Sequence, residues 1–146
     1  MKKKYIHEGE FFVSNEPIQI ATVLGSCVAV CLYDKVSGIG GMNHYLLPLW
    51  NAKELKTLKF GDISTDKLIH EMLKMGAKKE NIIAKIFGGA AISIDSSISV
   101  GSKNTQVAND ILIENGIIIA NSDCNGSRGR KIMFDTTDGS VYLKYV

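Results

Sequence analysis

Short runs of apolar and β-branched residues, cut by turn residues, alternate along the chain with two stretches of helical period. Phe11 to Ser14 and Ile18 to Leu24 read as strands around the turn Asn15-Glu16-Pro17. Cys27 to Tyr33 and Ile39 to Leu47 flank Asp34-Lys35-Val36-Ser37-Gly38 and read as a β-hairpin. Thr65, Leu68, Ile69, Met72 and Leu73 follow the spacing of one helix face, with Asp62 or Ser64 as the N-cap and Gly76 as the stop. Ile82 to Phe87 is a buried strand running into Gly88-Gly89. Ser102 to Asn115 is a second helix with Val107, Ala108, Ile111 and Leu112 on one face, ending at Gly116. Ile117 to Asn121 is a strand, and Lys131 to Asp135 with Ser140 to Val146 form a hairpin around Thr136-Thr137-Asp138-Gly139. About eight strands and two helices, with no repeat and no linker, predict one α/β layer structure over residues 1–146, its helices packed on a mixed sheet.

Composition narrows the function classes. A formal charge of +2 on 146 residues is too small a surplus to draw the chain onto nucleic acid or an anionic membrane. The lysines at the start lead into no apolar stretch of secretion-signal type, and no apolar run approaches the length of a membrane span, so a cytoplasmic protein without membrane insertion is expected. Three cysteines, an odd and low number, argue against a disulfide framework. They do not cluster with the three histidines as a metal site, so no metal and no cofactor are expected.

What remains for chemistry is Cys27 with His44. If Asp34 faces Ser37 across the hairpin turn, Cys27 lies directly opposite His44, where Cβ atoms of paired residues are about 4.5 to 5.5 Å apart. A longer loop, or a bulge at Gly40-Gly41, would shift that register. An imidazole beside a thiol generates the thiolate that attacks a carbonyl carbon. A sharp turn at Gly25-Ser26 would lift the sulfur to a strand end and leave backbone N–H groups for an oxyanion. The alternative is a small buried hydrophobe beside a satisfied strand histidine. Cys31 and Cys124 read as structural, and His7 and His70 as solvated. Gly88-Gly89 could cradle phosphate or permit a close backbone approach. Arg128, Arg130 and Lys131 form a basic knot, either a solvated loop or a dock for an acidic surface.

The run Thr22-Val-Leu-Gly-Ser-Cys-Val-Ala-Val-Cys-Leu-Tyr-Asp34, followed by Gly40-Gly-Met-Asn-His44 and Leu46-Leu47-Pro48, resembles CheD, the chemoreceptor glutamine deamidase family of bacterial chemotaxis. The likeness continues through Gly61-Asp62, Ala84-Lys-Ile-Phe-Gly-Gly-Ala90, Gly101 to Asn104 and Gly129-Arg-Lys131, over nearly the whole length. It implies an α/β/β layered sandwich. It also implies Cys27 as nucleophile and His44 as general base, with Thr22 as the nearby threonine and Gly25 and Ser26 shaping the site. Phe87, Gly88, Gly89, Arg128 and Arg130 would then contact substrate or partner. The substrate would be glutamine side chains of methyl-accepting chemotaxis receptors, and a further partner the phosphatase CheC, which on an alternative reading makes the chain mainly a non-catalytic adaptor. Thr22 stands five residues before Cys27, whereas the family often has its threonine six before; on a continuous strand that shift changes the face. Lys103 stands where an arginine is frequent, and Asp123-Cys124-Asn125-Gly126 where two adjacent glycines are common.

Overall fold

A computed structural model describes residues 1–91 and 99–146 as three layers: two helices, a five-stranded sheet and a four-stranded sheet. The middle sheet runs β2 (Phe11–Ser14), β5 (Gly40–Asn43), β4 (Val28–Asp34), β6 (Ile82–Gly88), β7 (Ile118–Cys124), antiparallel except for the β6–β7 pair. The outer sheet runs β1 (Lys2–Tyr5), β3 (Ile18–Leu24), β8 (Arg130–Asp135), β9 (Ser140–Tyr145), with β1 parallel to β3. The α/β/β arrangement expected from the family resemblance is the one observed.

The middle position of β4 explains its unbroken apolar sequence. Val28, Val30 and Leu32 pack toward α1 (Gly61–Met75) and α2 (Val100–Glu114), among Leu68, Met72, Ile111 and Leu112. Ala29 and Cys31 pack on the opposite side against Ile20, Ile132 and Phe134 of the outer sheet. Strands covered on both faces lose the alternation that marks a half-exposed strand. In β3 the alternation survives: Ile18, Ile20, Thr22 and Leu24 are buried, while Val23 is exposed.

Several boundaries differ from the sequence reading. The turn Asn15-Glu16-Pro17 closes no hairpin, because β2 pairs with β5 while β3 enters the other sheet. It is a crossover between layers. β1 gives no hydrophobic signal, since all four of its residues are exposed and only its backbone pairs. Neither Asp62 nor Ser64 caps α1; Phe60 stands at the N-cap with no side-chain bond, and Asp62 Oδ1 instead accepts from Trp50 N at 3.1 Å. Gly76, at φ 118°, ends that helix as expected. Helix α2 starts two residues before Ser102 because Ser99 Oγ accepts from Ser102 N at 3.0 Å.

The hairpin register also differs. Cys31 faces Met42 and Tyr33 faces Gly40, with a further bridge between Val28 and Tyr45, so Asp34 pairs toward Ile39 rather than Ser37. The slip is two residues and therefore keeps every side chain on its expected face. Its cause is the Asp34 carboxylate. Oδ1 accepts from Val36 N (2.8 Å) and Ser37 N (2.9 Å), folding four residues into the loop, and Oδ2 accepts from Lys78 N at 3.0 Å. Burial opposes ionisation of Asp34, but these donors outweigh it and hold its pKa below the usual carboxylate value. The charge is thus favoured by folding, and this contribution is lost as pH falls through the folded-state pKa. Asp34→Ala leaves three backbone donors unpaired and is expected to cost about 2 to 3 kcal/mol in urea unfolding.

Candidate active site

The chain crosses from the outer to the middle sheet at Gly25-Ser26, between β3 and β4. All three carbonyls of the crossover are held from the far side. Gly25 O accepts from Ala90 N (3.1 Å), Ser26 O from Asn104 Nδ2 (2.9 Å) and Cys27 O from Gly89 N (2.9 Å). The N–H groups of Ser26 and Cys27 donate to no described residue. Gly88, at φ 107°, lies so close that a Cβ there would run into the Cys27 carbonyl, and a Cβ on Gly89 would meet Gly101 O and Thr105 Oγ1. The paired glycines therefore serve close approach of backbones.

His44 follows β5 and is fixed at both its backbone and its ring. Its N–H donates to Glu10 O (3.1 Å), and its carbonyl accepts from Gly9 N (2.8 Å). Nδ1 lies 2.7 Å from Thr22 Oγ1, across the space between the two sheets, and the Thr22 hydroxyl is also 2.7 Å from Ile6 O. Proton counting settles the directions. A carbonyl can only accept, so the single Thr22 hydroxyl proton goes to Ile6, and Thr22 Oγ1 accepts from Nδ1–H. That tautomer leaves the lone pair on Nε2, which is buried and has no hydrogen-bond partner among the described residues. Thr22 faces inward despite its five-residue spacing from Cys27. Between them the chain bends at Gly25-Ser26 and changes sheets, so strand parity cannot be counted through.

With the register slipped by two, Cys27 and His44 are diagonal rather than direct neighbours, on the face where Met42, Ala29 and Cys31 also lie. Diagonal pairs are about 7 to 8 Å apart, within reach of adjustment by long side chains. The thiol and Nε2 make no hydrogen bond here, and each carries the charge state its burial favours. Burial, followed by the negative charge of Glu8, pushes the Cys27 thiol up to about 11. Burial pulls His44 down to about 4 against the opposing pull of Glu8 and Glu10. The resting pair is a neutral thiol beside a neutral imidazole whose base nitrogen is free.

The remaining sequence candidates divide. Cys31 is buried between the sheets with its thiol pushed far up, and Cys124 Sγ contacts Ile86 O at 3.3 Å. Phe87 is 5% exposed and belongs to the core between the sheets, so it offers no contact surface. Arg130, at 3% exposure, is an internal clamp, bonded to Asp123 Oδ1 (2.8 Å), Asn125 O (2.7 Å) and Gly88 O (3.4 Å). Arg128 is exposed and stacks on the Tyr145 ring. Two residues at the site escaped the sequence reading. Ile6 sets the histidine tautomer through its carbonyl, which no sequence signal marks. Asn104 does carry a signal, a polar residue on the buried face of α2 in step with Val107, Ala108 and Ile111. No described helix is long and apolar enough to cross a membrane.

Comparison with known proteins agrees with this arrangement. A solved structure, the Bacillus licheniformis hypothetical protein YfiH, superposes with a TM-score of 0.51 over 81% of this chain and 50% of its own length, at 14% identity, a likeness of fold alone. A protein of Sulfurimonas denitrificans named probable chemoreceptor glutamine deamidase CheD is 50% identical over 99% of this chain and 95% of its own. Proteins of similar name from Trichlorobacter lovleyi and Anaeromyxobacter dehalogenans are 43% and 40% identical over 98% and 96% of this chain, covering 90% and 82% of theirs. The family described as CheD chemotactic sensory transduction matches residues 46–145. These relatives extend across the segments that carry Thr22, Cys27 and His44, and the chain belongs to the CheD family.

Proposed function

We propose that the chain is a cytoplasmic protein-glutamine deamidase acting on chemoreceptors, with Cys27 as nucleophile, His44 as general base and Thr22 as the residue that orients His44. The observation that carries the reading is the Ile6–Thr22–His44 chain, which leaves a buried base nitrogen on the same sheet face as a thiol. Relatives named for glutamine deamidation of chemoreceptors supply the substrate class.

The chemistry follows from those groups. As the thiol attacks the glutamine carboxamide carbon, its proton passes to His44 Nε2, and the Nδ1–H bond to Thr22 steadies the imidazolium. The oxyanion forms beside the N–H groups of Ser26 and Cys27, which donate to no described residue. Collapse breaks the C–N bond, His44 returns the proton to the leaving nitrogen, and ammonia departs to leave a thioester. Water then attacks the thioester carbon while His44 takes its proton, and the products are glutamate and the restored thiol. Such a site also accepts methyl esters, whose leaving group needs less help. Arg128, exposed beside Tyr145, is the candidate for contact with receptor among the basic residues.

Incubation of receptor cytoplasmic domains with the protein should convert specific glutamines to glutamate, seen as a mass increase of about 1 Da per site with ammonia release, and Cys27→Ala should give none. An equally active Cys27→Ala protein would refute the proposal. Thr22→Val keeps side-chain size but removes the Nδ1–H acceptor. We expect kcat to fall about 10 to 10²-fold with KM little changed, measured on the same receptor domain. The proposal includes a CheC-type phosphatase as a partner on the family resemblance alone; co-elution with wild-type and Cys27→Ala protein tests it.

A further inference from the structure

Antiparallel strands are held by pairs of residues that exchange two hydrogen bonds. In the β4–β5 pair the last such exchange is between Val28 and Tyr45, at 3.1 and 3.0 Å. Beyond it the strands part, just where Cys27 and His44 flank the opening. Leu46 N and Leu47 N both turn to Lys59 O, at 2.9 and 3.0 Å, and give nothing to the Cys27 side. Asn104 of α2 occupies that gap. Its Nδ2 donates at 2.9 Å to Ser26 O on one strand and at 2.9 Å to Leu46 O on the other, and the backbone carbonyl of Asn104 accepts from the Tyr45 hydroxyl. The side-chain amide thus replaces the missing rung. One of the amide's two bonds ends next to Cys27 and the other ends two residues after His44, while the Tyr45 hydroxyl holds the Asn104 backbone.

The amide can adopt only this orientation, because turned over it would set Oδ1 against two carbonyl oxygens. The cost is visible: Asn104 is fully buried, and Oδ1 has no partner among the described residues. We infer that Asn104 is a positioning residue that clasps the Cys27 turn to the strand bearing His44, holding thiol and imidazole close enough for proton transfer. The inference rests on the deamidase reading for its meaning, but the clasp itself can be measured without receptor.

The experiment uses Asn104→Leu, similar in size without donors, and Asn104→Ala, with Leu112→Ala as a control that removes buried packing from the same helix and leaves the clasp intact. Iodoacetamide labelling of Cys27, located by peptide mass, is followed from pH 5 to 10 alongside kcat and KM. Both Asn104 variants should label Cys27 below pH 8 as slowly as His44→Ala protein does, and kcat should fall about 10²-fold with KM within about threefold. Leu112→Ala should lower Tm yet keep the labelling profile. Labelling of Cys27 unchanged in Asn104→Leu and Asn104→Ala, or slowed no more than in Leu112→Ala, overturns the clasp. If wild-type protein fails to deamidate receptor, the functional reading falls, and the labelling arm still decides the role of Asn104.

Discussion

His44→Gln should lower kcat for receptor deamidation about 10³-fold or more while leaving the protein folded. Glutamine can keep a hydrogen bond to Thr22, so the space between the sheets stays filled, but its amide cannot take up a proton. Attack then depends on thiolate formed by solvent, and with the Cys27 thiol at about 11 little thiolate exists at neutral pH. The pH profiles separate the two cases. Wild-type activity should hold on the acid side until His44 protonates near its folded value of about 4, whereas the residual activity of His44→Gln should climb with pH toward the thiol value. Stability should respond as well. His44 is lowered from an ordinary 6.5 in the folded protein, so between 6.5 and about 4 the unfolded chain binds a proton that the folded chain refuses. Stability therefore rises with pH across that window, and acid removes it. Urea unfolding at pH 7.5 and 5 should show a larger loss on acidification in wild type than in His44→Gln. An unchanged kcat, or equal acid sensitivity, would refute the role given to His44.

The same residues show what a sequence can and cannot carry. The hairpin and the motif pair Cys27 with His44, and the structure brings them to one face although the turn is two residues longer than the sequence suggests. The direct opposition is lost but the shared face is kept, because an even slip preserves parity, and the slip itself lies hidden in the carboxylate of Asp34, which reaches forward to Val36 and Ser37. Periodicity found β3 and the body of both helices because burial on one face imposes a spacing on the side chains. It could not find β1, whose lysines face water and whose pairing is made by backbone alone. Nor could it turn Thr22 the right way, since the chain changes layers between that residue and Cys27. Carbonyl acceptors such as Ile6 O belong to every residue alike, so the group that fixes the histidine tautomer is invisible until the fold brings it into place. By its charge Arg130 reads as a surface group, but its guanidinium is engaged by three carbonyls and Asp123 around the turn behind Gly88.

Gly88→Ala should damage stability and catalysis together. At φ 107° an alanine is strained by about 1 to 3 kcal/mol before any contact is considered. The added methyl also points at backbone, the Cys27 carbonyl, which cannot swing aside as a side-chain end would. Relief requires the crossover at Gly25 to Cys27 to withdraw, which breaks the bond from Gly89 N to Cys27 O and carries the thiol away from His44. Gly116→Ala provides the comparison, since φ there is 69° and nothing lies within 4 Å of the new methyl, so strain acts alone. We expect Gly116→Ala to lower Tm by a few degrees with kcat unchanged. Gly88→Ala should lower Tm by roughly 10 °C, from about 3 kcal/mol or more, and should lower kcat about 10²-fold in protein that is still folded at the assay temperature. Equal effects of the two substitutions on Tm, or full activity in folded Gly88→Ala, would mean that the glycine pair does not set the position of Cys27.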